Sequence, residues 1–146
     1  MPQQDATLLL DEDHNQAMRL FEQYKAAHDG RRQQTIAAEL CQSLLVHMQI
    51  EEEIFYPAFQ KATGDQQLLQ DARREHKEAR ELIARIQADR QNAKLMLDLE
   101  DAILHHVNDE REKMFPKARS AANLNLMQLG QQLEMRKSEL MEAHPA

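Results

Sequence analysis

One short pattern occurs twice in this chain of 146 residues and restricts its fold more than any other feature. The first copy, HMQIEEEIFYP, runs from His47 to Pro57, and the second, HVNDEREKMFP, runs from His106 to Pro116. Aligned without a gap, the copies share the first His, a Glu four residues later, a second Glu two residues further on, and the final Pro. Since residues i and i+4 lie on one face of a helix, each copy directs an imidazole and a carboxylate to the same side.

The composition favours helices around both copies. Leu, Ala, Gln, Glu, Arg and Met dominate, and the chain has three Gly and four Pro, so good helix formers are rarely interrupted. Aromatic residues make up 4% and β-branched residues are few, which leaves little from which to build a sheet. The length suits a single domain over residues 1–146, with a core of its own. We therefore expect an all-α protein.

Apolar residues at three- and four-residue spacing predict four long helices and an additional C-terminal helix. Asp29 and Gly30 are expected to separate the first helix from the second, with Gly30 as the C-terminal stop of the first. Asp65 and Asn92 are expected to cap the third and fourth helices. Pro57 lacks a backbone N–H and is expected to bend the second helix just beyond the repeat. The expected helices cover about 6–28, 31–62 and 66–90, a fourth from 92 to the bundle's end near 120, and 124–143.

Each long helix carries a polar residue where its apolar face requires an apolar one. His14 follows Leu10 by one turn on the first helix, and His76 lies between Ala72 and Ala79 on the third. The two copies of the repeat place a His and a Glu in the same register on the second and fourth helices. Short connections favour antiparallel neighbours, so we expect an up-down-up-down four-helix bundle whose halves are related by a pseudo-twofold axis. Six residues then face one another: His14, His47, Glu51, His76, His106 and Glu110.

These residue types together indicate a metal centre. A buried carboxylate is costly unless it is paired or bound to a cation, and two neighbouring carboxylates cannot both ionise without compensation. A pair of divalent metal ions removes both costs, since each Glu can bridge and each neutral imidazole donates a lone pair. Mixed imidazole and carboxylate ligands suit iron, manganese or zinc, and the lack of thiolates excludes an iron–sulfur cluster. The pattern predicts open metal positions for water, oxygen, peroxide or nitric oxide.

Residues beside the repeat have less specific signals. His105 lies about 100° round the helix from the His that follows it, so we expect it outside the centre or at the surface. A register that pairs His105 with Asp109 or Glu110 is an alternative. The acidic run from Glu51 to Glu53 is, apart from its first residue, typical of a solvated face.

Charge and cysteine content exclude several classes of partner. The net charge of −7 opposes nucleic acid and anionic membranes, and no apolar run approaches the roughly 20 residues that span a bilayer. The N-terminal residues lack the basic region of a secretory signal. Cys41 is the single cysteine, so it cannot form an intrachain disulfide and is expected to be a small core residue. We expect a cytoplasmic protein, and a protein partner is not specified.

The chain resembles the hemerythrin family, specifically the bacterial hemerythrin-like HHE cation-binding domain. The resemblance covers about residues 8–120 and rests on DHN at His14, HMQIEEEIFYP, REHKEARELI around His76, and HHVNDEREKMFP. It implies a four-helix bundle with two non-haem iron ions, bridged by an oxo or hydroxo group, with zinc or manganese as alternatives. It also implies ligation by His14, His47, His76 and His106, with Glu51 and Glu110 as bridging carboxylates.

The chain departs from the oxygen-carrying members in two places. Those proteins have a fifth His one turn after the third-helix His, where this chain has Arg80, and they end with His-x4-Asp instead of His-x3-Glu. Reversible oxygen carriage is therefore not inherited from the resemblance. We expect Arg80 to turn outward; the alternative is a positive charge near the site that favours anionic ligands such as peroxide or superoxide.

The leading hypothesis is a di-iron protein that binds or senses oxygen, peroxide or nitric oxide. An enzyme that consumes peroxide or nitric oxide is the first alternative, and it requires a proton donor that the sequence does not reveal beyond the two bridging Glu. Iron donation to damaged iron–sulfur clusters is another, although the paired Cys of such repair proteins is not in this sequence. A metal-free bundle that docks a partner on its C-terminal helix is the fourth. Ferritin-like oxidases use Glu-x2-His instead, which separates them from this pattern.

Overall fold

The helices begin where short polar side chains cap their free N–H groups. In the computed structural model, which describes residues 4–143, Asp5, Asp29, Asp65 and Asn92 each accept a hydrogen bond from a backbone N–H of the following turn. The caps expected at Asp65 and Asn92 are thus confirmed. The α-helices are α1 (Ala6–Ala26), α2 (Gly30–Ile50), α3 (Tyr56–Thr63), α4 (Gln66–Ala88), α5 (Ala93–Asp109), α6 (Phe115–Ser120) and α7 (Leu126–Ala143).

Gly30 does not have the expected role. Helix α1 ends at Ala26, ahead of the glycine, while Asp29 caps α2 and Gly30 is the first residue of that helix. The prediction of a C-terminal stop at Gly30 was therefore wrong, because the cap of the next helix lies directly before the glycine. Gly64 ends α3 instead, with φ of 69°, in the left-handed region that glycine adopts without a steric cost.

Both copies of the repeat contain a π-helical turn. The segment Glu51–Phe55 joins α2 to α3, and Glu110–Met114 joins α5 to α6. In each segment the carbonyl of the first Glu accepts a hydrogen bond from the N–H five residues later, that of Tyr56 or Phe115. Pro57 stands in the first turn of α3, where its missing N–H is tolerated. The helix was expected to bend just beyond the repeat, but its irregular part is the π-helical turn that precedes Pro57. Turns of this type are frequent at functional sites.

Four helical units form the bundle. The first is α1, the second runs from α2 through the first π-helical segment into α3, the third is α4, and the fourth runs from α5 into α6. Contacts join α1 to α2, α4 to α5, α2 to α4, and α3 to α6. The expected all-α four-helix bundle with an additional C-terminal helix is confirmed. None of the helices in residues 4–143 is both long enough and apolar enough to cross a membrane.

Helix α7 packs on α1, α2 and the first π-helical segment. Gly130 allows its close approach, because a Cβ atom at this position would overlap the backbone carbonyl of Gln4, just before α1. Two ion pairs add to the contact: Arg136 with Glu53, and Lys137 with Asp13. The C-terminal helix thereby covers the side of the bundle on which α1 and α2 meet.

The apolar core is divided by a polar layer. One cluster includes Phe21, Leu40 and Leu99, and the other includes Phe55 and Phe59. Cys41 is buried in the first cluster, as expected, and burial raises the pKa of its thiol to about 11. The polar layer consists of six residues that are at most 5% exposed: His14, His47, Glu51, His76, His106 and Glu110.

Candidate metal centre

The four imidazoles of the polar layer meet in two pairs. The rings of His14 on α1 and His47 on α2 have centroids 4.9 Å apart. Those of His76 on α4 and His106 on α5 are 4.6 Å apart. Each half of the bundle supplies one pair of histidines, as predicted from the order in which the histidines occur on the four helices.

Glu51 reaches imidazoles of both pairs. Its Oε1 lies 3.2 Å from His47 Nε2, 3.2 Å from His76 Nε2 and 3.6 Å from His106 Nε2. Glu51 is the first residue of a π-helical turn, and its carboxylate is fully buried. One carboxylate can therefore serve two metal positions.

Glu110 repeats this arrangement from the other half of the bundle. Its Oε1 lies 2.9 Å from His14 Nε2 and 3.3 Å from His106 Nε2. Within the described chain, the ligand atoms of the polar layer fall into two groups, each with all atoms within 4.8 Å of one another. The groups are His14, His47, Glu51 and Glu110, and Glu51, His76 and His106.

Unpartnered atoms show that this arrangement fits a metal. Among residues 4–143, four buried atoms of the layer lack a hydrogen-bond partner: His14 Nε2, His47 Nε2, Glu51 Oε2 and Glu110 Oε1. Some of them lie close together, but without the geometry of a hydrogen bond. Buried polar atoms are rarely left unpaired, since each lost partner costs about 1–3 kcal/mol. Cations placed between these lone pairs would satisfy them, and imidazole with carboxylate suits iron, manganese or zinc.

Each imidazole is held at its other nitrogen by a carboxylate. Such pairs fix the orientation and tautomer of metal-binding histidines. The prediction that Glu52 belongs to a solvated face was wrong, because it contacts His76 and is only 30% exposed. The Nδ1–oxygen distances are 3.1 Å for His14 with Asp11, 2.9 Å for His47 with Asp13, 2.6 Å for His76 with Glu52, and 2.7 Å for His106 with Glu75.

A sequence signal for these carboxylates exists, although it was not recognised. Asp13 directly precedes His14, and Glu75 directly precedes His76. Neither carboxylate contacts its neighbour in the chain, because adjacent residues of a helix point about 100° apart. Each contacts a histidine of the adjacent helix instead. In both cases the acidic residue that precedes a histidine of the centre contacts a histidine of the next long helix.

The hydroxyl of Tyr56 also lies at the centre, and sequence reasoning missed it. The oxygen is 3.1 Å from His76 Nε2, 3.1 Å from Glu110 Oε2 and 3.3 Å from Glu51 Oε1. Burial, with Glu110 and Glu51 beside it, raises the pKa of this phenol well above its usual value, so it remains a proton donor. The second copy of the repeat has Phe115 at this place, which makes the two halves of the centre unequal.

Without a bound cation, the carboxylates of the centre would favour the protonated forms of His47 and His106. Burial lowers the pKa of His47, but the carboxylates of Glu51 and Asp13 outweigh burial and raise it to about 10. The pKa of His106 is likewise raised, against burial, by its neighbouring carboxylates. Burial raises the pKa of Glu51, and the surrounding groups, His47 first, hold it well below its usual value. Imidazolium and carboxylate thus neutralise each other until a cation replaces the protons.

Arg80 turns away from the centre, as expected. Its side chain is 39% exposed and makes two hydrogen bonds to Glu52, at 2.7 and 3.0 Å. With burial opposing them, His76 and Arg80 lower the pKa of Glu52 to about 2. The guanidinium therefore acts on the centre only through the carboxylate that orients His76.

A cavity connects the centre to the surface between α1, α2 and α7. Its volume is ≈ 400 Å³, and its inner wall includes His14, His47 and His106. Glu12 and Lys137 are among its outer residues. The cavity is large enough to admit a diatomic molecule or peroxide to the imidazoles.

Comparisons with known proteins agree with this description. The sequence model of the hemerythrin HHE cation-binding domain family matches residues 5–118 of the chain. A crystal structure of a hemerythrin HHE cation-binding domain-containing protein from Mycobacterium kansasii has the same fold, with a TM-score of 0.81 and 20% sequence identity over 96% of this chain and 89% of that one. A DNA nickase of Nostoc sp. is 29% identical over an alignment 114 residues long, and the match covers 74% of this chain and 32% of the nickase. The chain thus spans about a third of that relative's length. Because the family model matches well over half of its residues, this protein belongs to the hemerythrin HHE cation-binding family.

Proposed function

We propose that this protein holds two iron ions in a bridged, non-haem centre and there binds or senses oxygen, peroxide or nitric oxide. The observation that carries the proposal is the pair of buried ligand groups that share Glu51. His14 and His47, with Glu110, would hold one ion, and His76 and His106 the other. Zinc and manganese accept the same ligand types and are the alternatives to iron.

The protein residues determine what can happen at such a centre. Bound iron would supply the redox chemistry and the open positions at which a small molecule binds. The apolar clusters on both sides of the polar layer exclude bulk water, and the outer carboxylates hold each imidazole in one orientation. The cavity between α1, α2 and α7 provides access.

Tyr56 favours a second candidate, an enzyme that consumes peroxide or nitric oxide. Such an enzyme requires a proton donor beside the reacting molecule, and the sequence offered none beyond the two Glu. The buried hydroxyl of Tyr56 lies within hydrogen-bond distance of Glu51, Glu110 and His76. It is therefore placed to donate a proton or a hydrogen bond at the centre.

We do not extend the proposal to DNA. The nickase activity belongs to the name of the Nostoc relative, two thirds of which lies outside the matched region. The net charge of −7 opposes binding to a phosphate backbone. Iron donation and partner docking have no specific support from the geometry.

Metal analysis and optical spectroscopy of the purified protein test the proposal. We expect about two irons per chain and a charge-transfer absorption that changes when the reduced protein meets oxygen, peroxide or nitric oxide. His14→Ala should lose iron and this absorption. His28→Ala is the matched control, since His28 is an exposed histidine in the connection between α1 and α2. One zinc ion, or no metal after growth in iron-rich medium, would refute the proposal.

Tyr56→Phe separates binding from catalysis. The variant keeps the ring that packs 5.4 Å from His76 and loses only the hydroxyl. If the protein is an enzyme, steady-state consumption of peroxide or nitric oxide should fall while the iron content remains. If wild type shows no turnover, the binding or sensing function is retained and the enzymatic one is rejected.

A further inference from the structure

A third group of metal-binding side chains lies outside the centre, where α4 and α5 meet at the surface. His105 Nε2 is 3.2 Å from Glu75 Oε2 and 3.4 Å from Asp109 Oδ2. The ligand atoms of all three residues lie within 4.8 Å of one another. His105 and Asp109 are one turn apart on α5, which is the alternative register that the sequence left open. His105 and Asp109 do lie together, but on the outward face of α5.

The donor set suits a divalent transition metal. One imidazole nitrogen and two carboxylate oxygens are ligands that ferrous iron and zinc both accept, with water in the remaining positions. His105 is 71% exposed, so an ion can reach the group directly from solvent. Lys113 Nζ lies 3.7 Å from Asp109 Oδ1 and competes with a cation for this carboxylate, which lowers the affinity of the group for a metal ion.

Two features connect this group to the buried centre. Glu75 uses its second oxygen, Oε1, to accept a hydrogen bond from His106 Nδ1 at 2.7 Å. A cavity of ≈ 20 Å³ is lined by Glu75, Asp109 and Glu110, which is room for about one water molecule or ion. Glu110 is 1% exposed, and its Oε1 has no hydrogen-bond partner among residues 4–143. The cavity thus lies between the surface donors and a buried carboxylate of the centre that has one oxygen without a hydrogen-bond partner in the described part of the chain.

We propose that Glu75, His105 and Asp109 form a surface site for a divalent first-row metal ion, and that the site delivers ferrous iron to the buried centre. Binding at the surface stands on the geometry of these three residues alone. Delivery rests on the proposed function, because it requires that the buried centre takes up iron.

Titration with Co²⁺, which accepts the same ligands and has a visible spectrum, tests binding. The purified protein should bind one more Co²⁺ per chain than His105→Ala does, or bind it at least about tenfold more tightly. The exposure of His105 makes its replacement compatible with folding. Lys113→Ala should strengthen binding, and His28→Ala should leave it unchanged. Equal Co²⁺ binding by wild type and His105→Ala would overturn the surface site, whether or not the buried centre holds metal.

Anaerobic mixing of metal-free protein with Fe²⁺ tests delivery. The buried centre should fill about tenfold more slowly in His105→Ala, because the local concentration of the ion is lower, and it should reach the same final iron content. Filling at the wild-type rate would overturn delivery. Wild-type protein that takes up no iron would overturn delivery and the proposed function together, while the Co²⁺ titration would still decide the surface site.

Discussion

Asp13 orients a histidine of the proposed centre without being a ligand, and Asp13→Ala measures what that contact contributes. Its Oδ2 accepts a hydrogen bond from His47 Nδ1 at 2.9 Å, and its Oδ1 accepts one from Lys137 Nζ at 2.6 Å. The carboxylate is 10% exposed. Burial raises its pKa, and His47 and Lys137 outweigh burial and lower it. Replacement with Ala leaves the outer nitrogen of His47 without an acceptor.

Asp13→Ala should lose stability of the fold and, separately, affinity for the metal. A hydrogen bond to a buried charged group contributes about 1.5–3 kcal/mol, and the pair with Lys137, which is 41% exposed, adds about 0–1 kcal/mol. Metal-free Asp13→Ala should therefore lose about 1.5–4 kcal/mol of the free energy of unfolding. Loss of an outer carboxylate typically costs 10–100-fold in metal affinity, which is about 1.4–2.7 kcal/mol.

The two parts are measured separately. Urea unfolding of the metal-free protein gives the first, and competition with a chelator gives the second. Glu12→Ala is the control, since Glu12 lies on the same helix and pairs with Arg19 where both side chains are 54% exposed; such a pair contributes about 0–1 kcal/mol. If Asp13→Ala were as mild as Glu12→Ala in both assays, the proposed orienting role would be wrong.

The pH dependence of stability gives an independent check. The pKa of His47 is raised from 6.5 to about 10 in the folded metal-free protein. Its contribution to stability is therefore fully present below pH 6.5 and is lost as the pH rises through about 10. Asp13→Ala should reduce the difference in stability between pH 7 and pH 10. A variant with the wild-type profile would show that Glu51 alone determines the protonation of His47.

Further predictions concern proton release on metal binding, two glycines and Arg80. Metal uptake at neutral pH should release protons to a weak buffer, because His47 is protonated up to a pKa of about 10 and must lose its proton to bind a metal; uptake without release would contradict this. Gly130→Ala should lower the free energy of unfolding by about 1–3 kcal/mol, since its Cβ would overlap the backbone just before α1. Gly30→Ala, with no atom within 4 Å, should be neutral or stabilise by up to about 1 kcal/mol. Arg80→Ala should move acid unfolding of the metal-free protein to higher pH. With its pKa lowered to about 2, Glu52 stabilises the fold above its usual pKa and loses this effect as the pH falls towards 2, and without Arg80 the loss should begin at a higher pH. Unchanged acid unfolding would contradict this prediction.

The sequence predicted much of the fold and the location of the candidate centre. Helix periodicity is a local property, so a His and a Glu four residues apart in each repeat had to share a face with the apolar residues around them. The same reasoning placed His14 and His76 in the core. The structure brings all six residues together, and their role as metal ligands stays a prediction until the metal is measured.

Local backbone detail was harder to predict. In a regular α-helix, Tyr56 would point about 140° away from Glu51, and its hydroxyl could not return to that carboxylate. The π-helical turn changes this angle and brings both groups to the centre. Proline one residue later is compatible with such a turn but does not require it, so the sequence pattern left Tyr56 unassigned.

The sequence by itself determined the helices, the bundle and the six inward-facing residues, because these follow from spacing along single helices. Only the tertiary structure decided which carboxylate orients which imidazole. Asp13 and His47 are 34 residues apart, and Glu75 and His106 are 31 apart. Such contacts depend on how far neighbouring helices are rotated and shifted against each other, and no periodicity within one helix contains that information.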